Sequence, residues 1–516
     1  MPGGLIELVS RGAQDVYLTG NPQVTFFKVV YRRHTNFSME YIRSEFTTSP
    51  KLSTTDVTKI NFQLERNGDL LHDIYLVFDL PLIYTDKLSS FKWIKNVAQR
   101  LVNFAEISIA GQRVDIKYGQ WMNIWNELTL ELGKRRSYDV LIGNTEILRP
   151  QVFHTKNSTI IPATRLYLPL DFWFCQNAGL ALPLIALQYT PVMLTLEFNP
   201  LNDLFTIGQN PALSPDEFFN SNSNCDHQDI VQSPENQALF KQICEEGWDA
   251  RNVIWRFING GDKTASCIWK SDTYLEMNYV FLDTEERRRF AQVSHEYLIT
   301  QTDRRVFTGL LAGTNIVELK YQHPVKEMMW VFQRQDIYKT NDWFNYTLVN
   351  KLDQYREILK ITYQNSFLES TPVQSNIDFL THTGTTDFIE SIVFQSKTVN
   401  PIPEDFLNIM INAKLVFNGN DRFSEKDYKF FNALMSFKYH TNKAADGVQL
   451  YSFGLDPENI HPSGSVNMSS LNKIELVTVL KETVDPDMEY DLFVYVNNFN
   501  ILRIMGGIGQ LAYQNA

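Results

Sequence analysis

The chain has 516 residues, with 47 Lys and Arg against 59 Asp and Glu and a formal net charge of −12, which excludes general nucleic-acid packaging by displaced counterions. Hydrophobic residues at 44% and charged residues at 21% exclude a disordered chain. The longest apolar run, residues 180–187, is far below the ~20 residues of a membrane-spanning helix.

In chain order, the first residues, Met1-Pro2-Gly3-Gly4-Leu5, lack the basic and apolar regions of a secretory signal, so ordinary export is not expected. Short runs rich in β-branched and aromatic residues predict strands at 24–31, 60–65, 74–82, 105–109, 192–198 and 274–282. The same grammar returns at 326–332, 391–394, 413–417, 449–453, 473–479 and 490–496, so two all-β halves are expected. Asn418-Gly419 supplies the positive φ of a tight hairpin turn, and Ala110-Gly111 marks a weaker one because alanine resists that conformation.

A helix is predicted over 119–132, where Trp121, Ile124, Trp125, Leu128 and Leu132 share one face. A second opens at Asp283, which can accept from early backbone N–H groups while Glu286 reaches back. It is expected to run to about residue 298, with Arg287, Arg288 and Arg289 near its front, and to connect the halves. Two long polar stretches, 199–265 and 333–403, read as solvated loops or partner-contacting surfaces. Cys175, Cys225, Cys244 and Cys267 form no Cys-x-x-Cys pair, so a reducing compartment is the expectation.

Little points to catalysis. Residues 507–512 match a dinucleotide fingerprint, but the helix and the acidic residue about 20 positions on that such a site needs do not follow, so no cofactor is expected. His295-Glu296 lacks the second histidine of a zinc-protease pair, since Ile299 stands there; it reads as a half-exposed helix position, and no metal site is expected. There is no Gly-x-Ser-x-Gly elbow and no phosphate-binding P-loop. Asp485, Asp487, Glu489 and Asp491 alternate as a solvated acidic strand edge does, not as a calcium loop. The remaining alternative to a structural protein is a carbohydrate-binding or carbohydrate-cleaving β-sandwich.

Residues 12–37, GAQDVYLTGNPQVTFFKVVYRRHTNF, closely resemble the opening of the double jelly-roll major capsid proteins of nucleocytoplasmic large DNA viruses. Further matches follow in order at 179–189, 281–298, 323–327, 418–423, 451–453, 462–464 and 500–513. The resemblance implies an all-β chain of two consecutive eight-stranded jelly-roll sandwiches, with a few short helices and long inserted loops. It implies a coat protein without catalysis, three copies of which form a trimer of nearly hexagonal outline that tiles an icosahedral shell. Implied partners are the chain itself, minor capsid and penton proteins and an inner membrane surface, with no sequence-specific nucleic acid. The implied location is the virion shell, assembled in the host cytoplasm.

On that resemblance the chain divides into an inner-side segment (1–22), a first roll (23–283, insertion about 199–265), a connector (284–298) and a second roll (299–516, insertion about 333–403). Leu5, Ile6, Leu8, Val9, Asp15, Tyr17 and Asn21 become assembly candidates, and Asp283, Glu286, Arg287, Arg288 and Arg289 the interdomain connector. Asn418, Gly419, Asp421, Arg422, Pro462, Ser463, Gly464, Arg503, Gly506 and Gly507 are expected at turns and packing contacts. The two insertions are candidates for the outward tower. Pro191, Ser470 and Asn472 depart from the family pattern; proline cannot donate to a strand ladder, and the usual Arg/Asp contact of the second roll is missing.

Overall fold

A computed structural model describes residues 19–29, 31–46, 50, 52–53, 56–84, 89–145, 147–149, 160–209, 271–339, 341–348, 407–482 and 488–514. The first half contributes β1 (Phe37–Glu45), β2 (Thr58–Gln63), β3 (Leu70–Leu80), β4 (Val102–Ile109), β5 (Gln112–Tyr118), β6 (Thr164–Pro169), β7 (Val192–Phe198) and β8 (Tyr274–Leu282). They form two antiparallel four-stranded sheets, β1-β8-β3-β6 and β2-β7-β4-β5. The second half contributes β9 (His295–Leu310), β10 (Gly313–Glu318), β11 (Pro324–Arg334), β12 (Met410–Phe417), β13 (Asn420–Asp421), β14 (Val448–Ser452), β15 (Ile474–Leu480) and β16 (Tyr490–Met505). Its sheets run β9-β16-β11-β14 and β10-β15-β12-β13, the same order repeated. Each half is a jelly roll of two sheets closed around one core.

Patterning explains the sheets. In β7, Val-Met-Leu-Thr-Leu-Glu-Phe alternates buried and half-buried side chains, as does Ile-Glu-Leu-Val-Thr-Val-Leu in β15, so each presents one face to the core. The run Met-Met-Trp-Val-Phe inside β11 is buried on both faces, as suits a strand flanked by β16 and β14 and covered from both sides. Trp93, Trp121, Trp173 and Trp330 are fully buried. At β4–β5, Ala110 (φ 53°) and Gly111 (φ 75°) make the hairpin turn, and at β12–β13 Asn418 (φ 50°) and Gly419 (φ 82°) repeat it. Alanine therefore takes the left-handed conformation that its side chain disfavours.

Because consecutive strands alternate in direction, the connections β1–β2, β3–β4, β5–β6 and β7–β8 leave one end of the first roll, here the crown. The others, with the chain's approach to β1 and departure from β8, lie at the base. The second roll repeats this arrangement, so the long connections β7–β8 and β11–β12 both start from a crown.

Several expectations are corrected. The described residues of 24–31 form no strand: they are exposed and lack a ladder partner, whereas β1 begins only at Phe37. The helix expected over 119–132 is α1 (Gly119–Thr129), after which α2 (Leu132–Leu141) starts afresh and leaves Leu132 exposed. The connector helix α3 (Thr284–Gln292) stops six residues before 298, and His295 opens β9 instead of lying on a helix. Pro191 sits just before β7, where its missing N–H costs no ladder bond, and its carbonyl accepts from Ala110 N at 3.3 Å. The strand expected at 391–394, most of both insertions, Cys225, Cys244, Cys267, Asp485 and Asp487 lie outside the described residues.

Candidate functional site: the seam between the rolls

The two rolls meet where β5, an edge strand of the first, faces β9, an edge strand of the second. Within β5, Val114 and Ile116 belong to the core of their own roll, while Asp115 and Lys117 are directed toward the neighbouring one. Lys117 Nζ and Asp115 Oδ2 pair at 3.1 Å with their side chains 1% and 0% exposed. Asp115 Oδ1 accepts from Ile116 N (2.9 Å) and from Thr302 N on β9 (3.1 Å), and Lys117 Nζ donates to Thr302 Oγ1 at 2.8 Å. Gln301 donates to the Val114 carbonyl, and the Arg304 guanidinium lies 3.8 Å from the centre of the Tyr118 ring.

From Thr302 the polar chain continues into the second roll. Thr302 Oγ1 donates to Asn497 Oδ1 (3.2 Å), and Asn497 Nδ2 donates to Glu327 Oε1 (2.8 Å). Glu327 Oε2 lies 3.4 Å from His440 Nε2, an ion pair with poor hydrogen-bond alignment, while His440 Nδ1 meets Glu458 Oε1 at 3.0 Å. Trp125 of α1 stands edge-on to the imidazole, with ring centres 6.4 Å apart, so this cluster also touches the first roll.

Burial raises the Asp115 carboxyl, against the pull of Lys117 and the Thr302 N–H. It likewise lowers Lys326, against Glu327, and the Lys326 ammonium donates to the Pro457 carbonyl at 2.6 Å. At His440 burial acts downward, but the bonds to Glu327 and Glu458 outweigh it and push the imidazole up to about 9. Glu458 responds conversely: burial acts upward, yet the bonds to His440 and Thr441 hold it below the usual range. A buried network of this kind is satisfied only when both rolls are in register, which makes it a device for fixing one geometry.

The seam is also fastened at both ends. At the crown, Asn442 N donates to Leu128 O (2.9 Å), and Trp343 Nε1 donates to Asp203 O (2.9 Å) beneath the Arg100 guanidinium. At the base, Tyr189 N donates to Gly507 O (3.1 Å) and the Tyr189 ring packs so closely on Gly507 that a Cβ there would lie 2.5 Å from it.

Among the residues singled out from sequence, Gly507 is in this seam. Gly506 (φ 59°) and Gly507 (φ 84°) make the turn of the terminal hairpin, in which Met505 pairs with Ile508. Asp283 caps α3, its Oδ1 accepting from Glu285 N and Glu286 N at 3.0 Å each, and Arg287 reaches Asp69 of the β2–β3 loop at 2.9 Å. Arg288 and Arg289 are exposed. Arg503 pairs with Glu296 (2.8 Å), Asp421 with Lys414 (3.2 Å), and Arg422 lies 5.9 Å from the Tyr451 ring centre. Ser463 Oγ accepts from Asp456 N (2.9 Å), next to Pro462 and to Gly464 (φ 141°). Asn21 is exposed with φ 49°, whereas Leu5, Ile6, Leu8, Val9, Asp15 and Tyr17 lie outside the described residues.

The family model for the major capsid protein N-terminus matches residues 25–246, and that for the large eukaryotic DNA virus major capsid protein matches residues 286–510. This chain belongs to that family of major capsid proteins. The major capsid protein of Phaeocystis pouchetii virus is 32% identical, and that of Paramecium bursaria Chlorella virus 1 is 30% identical, each over the full length of both chains. A quasi-atomic model of the PBCV-1 virus capsid superposes with a TM-score of 0.63 at 25% identity, covering 95% of this chain and 100% of that one. The Faustovirus major capsid protein, at 12% identity and a TM-score of 0.63 over 96% and 94% of the two chains, shares the fold.

Sequence reasoning missed the members of the capsid-protein seam: Asp115, Lys117, Thr302, Glu327, His440 and Asn497. Val114-Asp115-Ile116-Lys117-Tyr118 alternates like a strand with a wet outer face, and only the covering roll turns that face inward. The one available signal was the polar stretch Thr300-Gln301-Thr302 within a β9 otherwise rich in strand formers.

Proposed function

We propose that this chain is the coat subunit of an icosahedral virion shell and that three copies close into a ring of six rolls. One observation carries the closure. The intrachain contact is head-to-tail: the β5 edge of one roll meets the β9 edge of the next. In β9, Ile299, Thr300, Gln301 and Thr302 are buried. The counterpart strand β1 instead leaves Phe37, Met39 and Tyr41 50%, 56% and 54% exposed, with no roll packed against it among the described residues. At the other extreme, the β13 edge of the second roll is exposed as well. Repeating a head-to-tail contact yields either a closed ring or an open filament, and closure after three copies of a two-roll chain gives the six-roll, nearly hexagonal ring that the family resemblance implies.

In this reading the function is geometric: the seam sets the angle between rolls, and the ring presents flanks to neighbouring rings. Minor coat proteins and an inner membrane surface remain further proposed partners of the base. Sedimentation equilibrium tests the ring: the expected species has three times the 59.9 kDa chain mass. A strictly monomeric chain at high concentration would overturn it.

A further inference from the structure

The approach to β1 is an apolar, cationic segment whose described side chains stand exposed. Val24, Phe26, Phe27, Val29 and Tyr31 are 67%, 91%, 98%, 90% and 79% exposed. Lys28, Arg32 and Arg33 interleave them, and residues 19–36 contain no Asp or Glu. Water is a poor environment for so many adjacent apolar side chains, and a run of this kind marks an interaction surface.

The internal repeat indicates what covers it. In the register, Phe37 at the start of β1 pairs with Leu282 at the end of β8, so this arm and helix α3 leave the base of the first roll side by side. Helix α3 leads into β9 as the arm leads into β1. It lies beneath the roll that precedes β9, held by Arg287 to Asp69 of the β2–β3 loop and packed against residues 184–186 of the β6–β7 loop. Among the described residues no roll precedes the arm. In the ring, the preceding roll is the second roll of a neighbouring copy, whose β14–β15 loop exposes Leu455 (79%) beside the exposed carboxylate of Asp456.

We propose that residues 19–36 form a strap that lies across the base of the second roll of a neighbouring copy, with Phe26, Phe27 and Tyr31 near Leu455 and the cations toward Asp456. The inference rests on the ring reading above and assigns the surface that closes it. Side chains this exposed contribute nothing to the fold of their own chain, so at concentrations where both are monomeric Phe26→Ser/Phe27→Ser should melt as the native protein does. Its trimer should dissociate at least about tenfold more readily, about 1.4 kcal/mol.

The direct test places a photo-crosslinking residue at position 27 of the full chain and mixes heavy- and light-isotope copies. Crosslinks joining a heavy to a light chain at residues 453–473 are the expected result. Crosslinks within one chain, or a double variant that trimerises as tightly as the native protein, would overturn the strap while leaving the ring standing. Binding of the arm to phosphatidylserine vesicles that Phe26→Ser/Phe27→Ser abolishes without weakening the trimer would likewise overturn the strap alone. A native chain that never oligomerises would overturn the ring itself.

Discussion

Raising the pH should loosen the seam through His440. Its imidazole is pushed from 6.5 to about 9 because the bonds to Glu327 and Glu458 outweigh the opposing effect of burial. A group that binds its proton more tightly folded than unfolded stabilises the fold fully below the unfolded value and loses that contribution as pH climbs through the folded value. The window is therefore pH 6.5 to about 9. At about 1.36 kcal/mol per tenfold change in proton affinity, the contribution is on the order of 3 kcal/mol. The structure gives the cause: Glu327 is 1% exposed, and a neutral His440 removes the cation 3.4 Å from its Oε2. Urea unfolding at a fixed chain concentration, followed by tryptophan fluorescence because Trp125 abuts the ring, should be run on native protein and His440→Gln from about pH 6 to about 9.5. The native protein should lose roughly 3 kcal/mol more across that range than the variant, which is already weakened at the acid end. Equal slopes, or a native protein that gains stability with pH, would refute the assignment.

Three further outcomes are expected. Lys117→Met leaves the Asp115 carboxylate buried without its counter-charge and should cost about 3–5 kcal/mol in urea unfolding, less toward acid pH where Asp115 takes a proton, while Asp115→Leu/Lys117→Met recovers most of the loss; a double variant as weak as the single would contradict this. Gly447→Ala places a Cβ 2.0 Å from the Tyr346 carbonyl oxygen at φ +82° and should cost more than about 2 kcal/mol, whereas Gly419→Ala, at the same φ with open space around it, should cost only about 1 kcal/mol; equal melting losses would count against the steric account. Charge reversal at Arg287 should lower stability by about 1 kcal/mol through Asp69, whereas reversal at Arg288 and Arg289 leaves the melting temperature of the isolated chain unchanged; equal effects at all three would remove the special role of Arg287.

Local physics made much of the fold readable in the chain. Residues 192–198 and 274–282 alternate or concentrate apolar side chains strongly enough to set strand limits that the structure reproduces. Asn418-Gly419 and the Asp283 cap follow from backbone preferences that act within four residues. The arm and the seam obey a different rule. Residues 24–31 carry the composition of a strand, but a strand needs a ladder partner, and the described residues offer none to those of this segment that are described. Asp115 and Lys117 carry the pattern of a solvated edge, yet a second roll brought in from nearly two hundred residues away buries them together with Thr302. Composition and periodicity thus determined which segments could form sheets, because those signals are short-range. Which polar side chains would be sealed between the rolls, and which apolar ones left bare, was decided by tertiary packing, because burial is a property of what lies opposite and not of the residue itself.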